Sequence, residues 1–217
     1  MILFMYTVQM LVLMPMGVSL FGYERNQYFR DMSVGQNGWA YYFGKVLESI
    51  PAILLYTVAY AGGFFGMSEL RQSFGRYFAA LLSTSLGFVA IAILASITIG
   101  REKMIPTAII TGLIMVAFFT GLTPKAGNIA AGAKWIWYLT FSFNSATAFY
   151  SNEVNQYDPP YDVAYLNNPD GPWGSTYGYG FNLDQASLYL GLAFITALAT
   201  LTLGAIFIRA WDYRKQR

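Results

Sequence analysis

Five stretches of this chain are long and apolar enough to cross a lipid bilayer, and that leaves little choice of fold. They run over about 2–21, 39–65, 77–99, 104–122 and 186–208. A spanning helix needs about 20 mostly apolar residues. Helices are the expected form, because an open sheet would leave backbone groups unpaired in lipid. Composition agrees: 11% of the 217 residues are charged, against about 25% in soluble domains. The expected fold is therefore all-α, a polytopic transmembrane bundle of about five spans forming one domain over 1–217. The 17 Tyr, 17 Phe and 5 Trp suit the aromatic belts at membrane interfaces.

The connections are unequal. A polar loop, 22–38, joins the first two spans, and short links follow the second and third. The stretch 123–185 is long. Its first part, Ala126 to Val154, is apolar and aromatic, and reads as one or two helices lying in the interface or re-entering the membrane. Its second part, Asn155 to Asp184, is rich in Pro, Gly, Asn, Asp and Tyr and reads as an ordered, turn-rich loop. Arg25, Arg30, Lys45, Arg101, Lys103, Arg209, Arg214, Lys215 and Arg217 gather on one side of the expected topology; Arg71, Arg76, Lys125 and Lys134 gather on the other. The richer side is expected to be cytosolic, with the C-terminus inside and the long loop outside. Met1 stands at the edge of the first span with no basic leader. That reads as a chain that has lost an upstream span rather than as a signal peptide.

Little here points to chemistry. With no Cys and no His, disulfides, thiolate or imidazole metal sites and a histidine base are excluded. A net charge of +2 is too small to suggest a nucleic-acid partner. The nearest approach to a phosphate-binding loop is Gly38 to Val46, which has the wrong glycine spacing and Val46 where a hydroxyl should hold Mg²⁺. The chain is not expected to be an enzyme by itself. Lys45 and Glu48 share a helix face and read as a satisfied pair near the cytosolic interface, with a coupling pair or proton relay as the alternative. Gln9 either lines a cavity or hydrogen-bonds a neighbouring helix. Gly62 and Gly66 read as close helix packing, and Pro106 as a proline of a first helical turn.

The order of residues after the first span is more specific. Glu24-Arg25 is followed by Phe29-Arg30-Asp31, Gly35, Ala40-Tyr41-Tyr42-Phe43-Gly44-Lys45 and Pro51. This order resembles the loop after the second span of G-subfamily ABC transporters, the White and pleiotropic-drug-resistance group. Their F-R-E-x-x-x-G appears with Asp31 for Glu, and their A-Y-F-L-A-K as Ala40 to Lys45. The acid four residues after the lysine appears at three, as Glu48. Further on, Phe119-Thr120-Gly121-Leu122 is similar to the end of the family's fifth span. Trp135, Trp137, Tyr138 and Asn152-Glu153 are similar to its re-entrant segment, although Ser142-Phe143 replaces the usual Ser-Pro. Gly178-Tyr179-Gly180 and the last helix with its basic tail resemble the sixth span.

The resemblance implies a type-2 ABC membrane domain carrying spans two to six, without the first span or the nucleotide-binding domain. Such halves pair as homo- or heterodimers in the lipid bilayer. The nucleotide-binding domain, in cis or in trans, binds ATP and Mg; no cofactor belongs to this chain. By position, Gln9, Val12, Ile114 and Ala117 would line a central substrate slit, and Leu122 with Thr123 would form its outer gate. Glu24, Arg25, Phe29, Arg30, Asp31 and Gly35 would form the coupling element. The implied activity is export of lipids, sterols or amphipathic xenobiotics, with the plasma membrane favoured over an organelle. The alternative is a non-transporting membrane scaffold derived from the same fold.

Overall fold

The computed structural model describes residues 1–68, 70–100, 102–123, 125, 131–154, 156 and 185–215; the side chains of Arg25, Asn26, Phe29, Met32, Ala131 and residues 210–215 are outside the description. Helix is the regular structure among the described residues. The α-helices are α1 (Ile2–Gly22), α2 (Arg25–Ser33), α3 (Gly38–Met67), α4 (Phe74–Thr98), α5 (Met104–Phe118), α6 (Lys134–Tyr138), α7 (Phe141–Val154) and α8 (Ala186–Lys215). The described residues thus form an all-helical bundle. Among them four helices are long and apolar enough to cross a membrane: α1, α3, α4 and the Ala186–Arg209 part of α8.

The fourth expected span, 104–122, is a shorter element in the structure. Helix α5 has 15 residues, about 22 Å at 1.5 Å per residue, against a hydrocarbon core of about 30 Å. Its end has a local cause. Gly121 has φ +74°, a left-handed conformation that glycine adopts without a Cβ penalty. Pro124 follows in the sequence and disfavours further helix. The Phe118 carbonyl, left without an intrahelical donor, accepts from the Trp137 indole Nε1 at 2.9 Å.

Helix α4 is the axis of the bundle, in contact with α1, α3, α5, α7 and α8. The others follow one another around it: α5 touches α1, α1 touches α3, α3 touches α8, and α8 touches α7. Small residues on several faces of α4 make this position possible; Ala80, Ser83, Thr84, Gly87, Ala92 and Ala95 are all buried. In lipid, apolar burial against another helix gives no hydrophobic gain, so close van der Waals packing has to hold the helices together. Gly17 of α1 lies so close to α4 that a Cβ there would stand 2.6 Å from the Ala92 Cβ, and Gly87 of α4 lies directly against the Phe141 ring. Gly62 and Gly66 do not act this way among the described residues, since a Cβ at either would meet none of them within 4 Å. Helix α3 is peripheral. Its buried stripe, Tyr42, Ser49, Ile53, Thr57 and Ala61, is one residue wide, while Leu47, Leu55 and Val58 face outward.

The stretch read as interfacial or re-entrant contains α6 and α7. Helix α7 is buried along nearly its whole length, including Ser142, Asn144, Ser145, Thr147, Ser151 and Asn152. The turn-rich loop expected over Asn155 to Asp184 lies, apart from Gln156, outside the described residues.

Candidate functional site

The helix ends sort into two groups. At one end, Gly22 of α1 meets the Met104 thioether of α5, and the Arg209 guanidinium of α8 stands 5.9 Å over the Trp39 ring of α3. At the other end, the Tyr60 hydroxyl of α3 donates to the Met5 carbonyl at 2.9 Å, and Tyr138 stacks on Tyr189 at 6.4 Å.

The connection between α1 and α3 belongs to the first group. After α1, Tyr23 and Glu24 lead into α2. Glu24 accepts from the Lys45 ammonium at 2.7 Å and from the Tyr41 hydroxyl at 3.2 Å. Lys45 also meets Glu48 at 3.2 Å. One cation of α3 therefore serves two carboxylates, one on its own helix and one on the connection. The apolar side of the link is aromatic: Tyr28 of α2 is buried with its ring 5.0 Å from that of Tyr41. Beyond α2 the chain reverses at Gly35, whose φ of +97° favours glycine. Asn37 then caps α3, its Oδ1 accepting from the Trp39 N–H at 3.0 Å. Arg25, Phe29, Arg30 and Asp31 all lie in α2, with the Arg30 side chain exposed and Asp31 half-buried.

The four residues placed at the slit differ in exposure. Val12 of α1 is 46% exposed and Ile114 of α5 is 43% exposed; Ala117 is also exposed. Each of the three is on an exposed face of its own helix. Gln9 is fully buried instead. Its Nε2 donates to the Leu81 carbonyl at 2.8 Å and to the Ser85 hydroxyl, both on α4. Of the two readings open for Gln9, hydrogen bonding to a neighbouring helix is the observed one. Leu122 and Thr123 occupy the turn after α5, Leu122 half-buried and Thr123 exposed, beside Phe119, whose ring lies 5.4 Å from that of Trp137.

Two further features emerge only from the tertiary arrangement. Ser145 of α7 joins the Tyr6 hydroxyl of α1 at 2.7 Å, the Thr84 hydroxyl of α4 and the Ala80 carbonyl at 2.8 Å. The run Ser83-Thr84-Ser85 in an apolar span was the sequence signal for this layer. Near the opposite end from α2, the Glu153 carboxylate of α7 accepts from the backbone N–H groups of Arg71 at 3.1 Å and Gln72 at 3.3 Å. It pins the α3–α4 turn to α7.

Among the described residues no group of three or more His, Cys, Asp and Glu could hold a metal ion. What the arrangement offers is mechanical: a short helix tied by charge and aromatic contact to a span, and apolar helix faces turned outward. No protein-family model matches the chain, and a comparison with curated proteins finds no match.

Proposed function

We propose that this chain is the membrane-spanning translocation half of an ATP-driven exporter of the ABC G-subfamily type. Its cargo would be lipids, sterols or amphipathic xenobiotics. It would work as a homo- or heterodimer, with ATP and Mg bound by a nucleotide-binding domain in cis or in trans. One observation carries the proposal. The residues whose order resembles that family, Glu24, Tyr41 and Lys45, are the ones that tie the residue just before α2 to α3. A helix held this way moves with its span, which a coupling element requires, and two states of the bundle could then follow the motor. The basic end would face the cytosol, where a motor domain could reach α2. The outward apolar sides of α1 and α5, with Val12, Ile114 and Ala117, suit an apolar slit between two halves, where affinity comes from buried apolar area.

The burial of Gln9 favours a second reading, the non-transporting scaffold, because it removes the one amide from the slit. Flux of a fluorescent amphipath into vesicles containing the chain and a nucleotide-binding partner separates the two. A transporter gives ATP-dependent flux that Leu122→Arg abolishes; a scaffold gives none. In the transporter, the double variant Phe29→Ala, Arg30→Ala should lose ATP-driven flux by at least tenfold while its unfolding temperature is kept. Undiminished flux would remove α2 from the coupling role.

A further inference from the structure

Helices α3 and α8 both pack on α4 and touch one another only lightly. Tyr42 bridges them. Its hydroxyl donates to the Leu201 carbonyl at 2.7 Å and lies against Gly204, where a Cβ would stand 2.6 Å from the phenol oxygen. Three residues back along α3 from Tyr42, the Trp39 ring meets the guanidinium of Arg209, eight residues on from Leu201 along α8. The two helices therefore run antiparallel, and Trp39 and Arg209 meet at the basic end of the bundle.

A helix turns about 100° per residue. Counted from Tyr42, the residues Trp39, Phe43 and Leu54 fall about 60–120° round α3. Counted from Leu201, the residues Leu198, Thr202 and Arg209 fall about 60–100° round α8 in the same sense. A similar turn about two antiparallel neighbours leads to the same flank of their contact. The two columns therefore border one shallow groove that faces outward. Phe43, Leu54, Leu198, Thr202 and Arg209 are exposed, and Trp39 is half-buried. From Arg209 to Leu198 is about 16 Å along the helix, close to the hydrocarbon depth of one leaflet, about 15 Å.

The charged end of this groove lacks a counter-ion. Arg209 stands 5.9 Å over the Trp39 ring, a cation–π distance that holds the guanidinium without consuming its N–H donors. Among the described residues no carboxylate pairs with it. Glu48 does not compensate, since it lies about 180° round α3 from Trp39 and is engaged by Lys45. In the sequence, Arg209, Arg214, Lys215 and Arg217 outnumber Asp212, the one acid from 209 onward. A planar cation with free donors matches a phosphate group, and a tryptophan beside it matches the headgroup level.

We propose that the outward α3–α8 groove binds one anionic glycerophospholipid of the adjoining leaflet. Its phosphate sits on the Arg209 donors beside Trp39. An acyl chain lies between Phe43 and Leu54 on one wall and Leu198 and Thr202 on the other. A zwitterionic lipid fits the same walls but brings a cation of its own to the Arg209 end, so selection rests on net charge. The groove is separate from the exposed faces of α1 and α5, and the site holds whether or not the chain exports anything.

Native mass spectrometry of the detergent-solubilised full chain tests this, with dioleoyl phosphatidylglycerol and dioleoyl phosphatidylcholine as paired probes. The anionic lipid should bind more tightly. One Arg near a membrane surface is worth about fivefold in affinity for anionic lipid. Arg209→Gln should weaken phosphatidylglycerol binding by about that factor and leave phosphatidylcholine binding alone. Lys103→Gln removes the same charge from an exposed position in the α4–α5 link and should bind as the unaltered protein does. Equal affinity for the two lipids, or an equal loss in both variants, would overturn the site. Displacement of the lipid by inorganic phosphate would overturn it too, because it would mark a site for free anions. Crosslinking of the unaltered protein needs no variant to fold. Phosphatidylglycerol with an acyl-chain diazirine should label α3 and α8 peptides several times more than α1 and α5 peptides. Even labelling would mean that the lipid has no fixed place, and the proposal fails.

Discussion

Glu153 shows how much one side chain can be asked to do in this bundle. Its carboxylate accepts from two successive backbone N–H groups at the α3–α4 turn, and a hydrogen bond to a charged group is worth about 1.5–3 kcal/mol. Part of that is lost here because Glu153 is half-exposed. Glu153→Ala should therefore destabilise by about 1–3 kcal/mol, and Glu153→Gln, which keeps one acceptor, by less. Thermal unfolding in detergent or nanodiscs checks both. Equal stability of all three proteins would mean that the turn is held by packing alone. Lys45 is the contrasting case. Its ion pairs with Glu24 and Glu48 involve side chains that are 39% and 66% exposed, so their stability contribution is about 1 kcal/mol or less and falls with salt. Sequence spacing placed Lys45 beside Glu48 on one helix face, because three residues make most of a helical turn. It could not show that Glu24 completes the cluster, since that contact depends on how the 22–38 connection folds back.

At the scale of the helices, glycine separates the interfaces that are closed from the faces that are open. Gly17 is in contact with α4 through Ala92, whereas Gly62 looks onto empty space. Gly17→Leu should overpack the α1–α4 contact and cost about 1–3 kcal/mol or more. Gly62→Leu should leave stability unchanged or slightly raised, because it adds helix propensity without a clash. Unfolding temperatures of the two variants, compared in lipid, check the contrast. A fall for Gly62→Leu as large as for Gly17→Leu would show that the open face of α3 is covered in the membrane. The G-x-x-x-G pattern was legible in the sequence, but its partner was not, because a small-residue stripe permits close approach without specifying a neighbour. The shortness of α5 was missed for a related reason. Hydropathy continues through Phe119 and Leu122, and only the left-handed turn at Gly121 shows where the helix stops.

For the whole molecule, sidedness has a direct experiment. The chain has no Cys, so a single introduced thiol reports one position without background. Val34, after α2, is 89% exposed, and Met67, at the far end of α3, is 88% exposed. With the basic end in the cytosol, a membrane-impermeant maleimide added to intact cells should label Met67→Cys, and should label Val34→Cys only after permeabilisation. The reverse pattern would invert the topology and put α2 out of reach of a cytosolic motor.

The places of the long apolar segments, their helical form and the polar link between the first two were determined by the sequence alone. Each depends on local composition: about 20 apolar residues cannot be solvated, and in lipid a backbone must bond to itself. Which helix becomes the axis, that α7 with its buried hydroxyls is folded inside, and that Gln9 turns toward Leu81 and Ser85 instead of toward the exposed face with Val12 were decided by tertiary structure. Those outcomes rest on which surfaces fit at backbone distance and on where each buried donor finds an acceptor. Both are properties of pairs of segments far apart in the chain, and no single segment carries them.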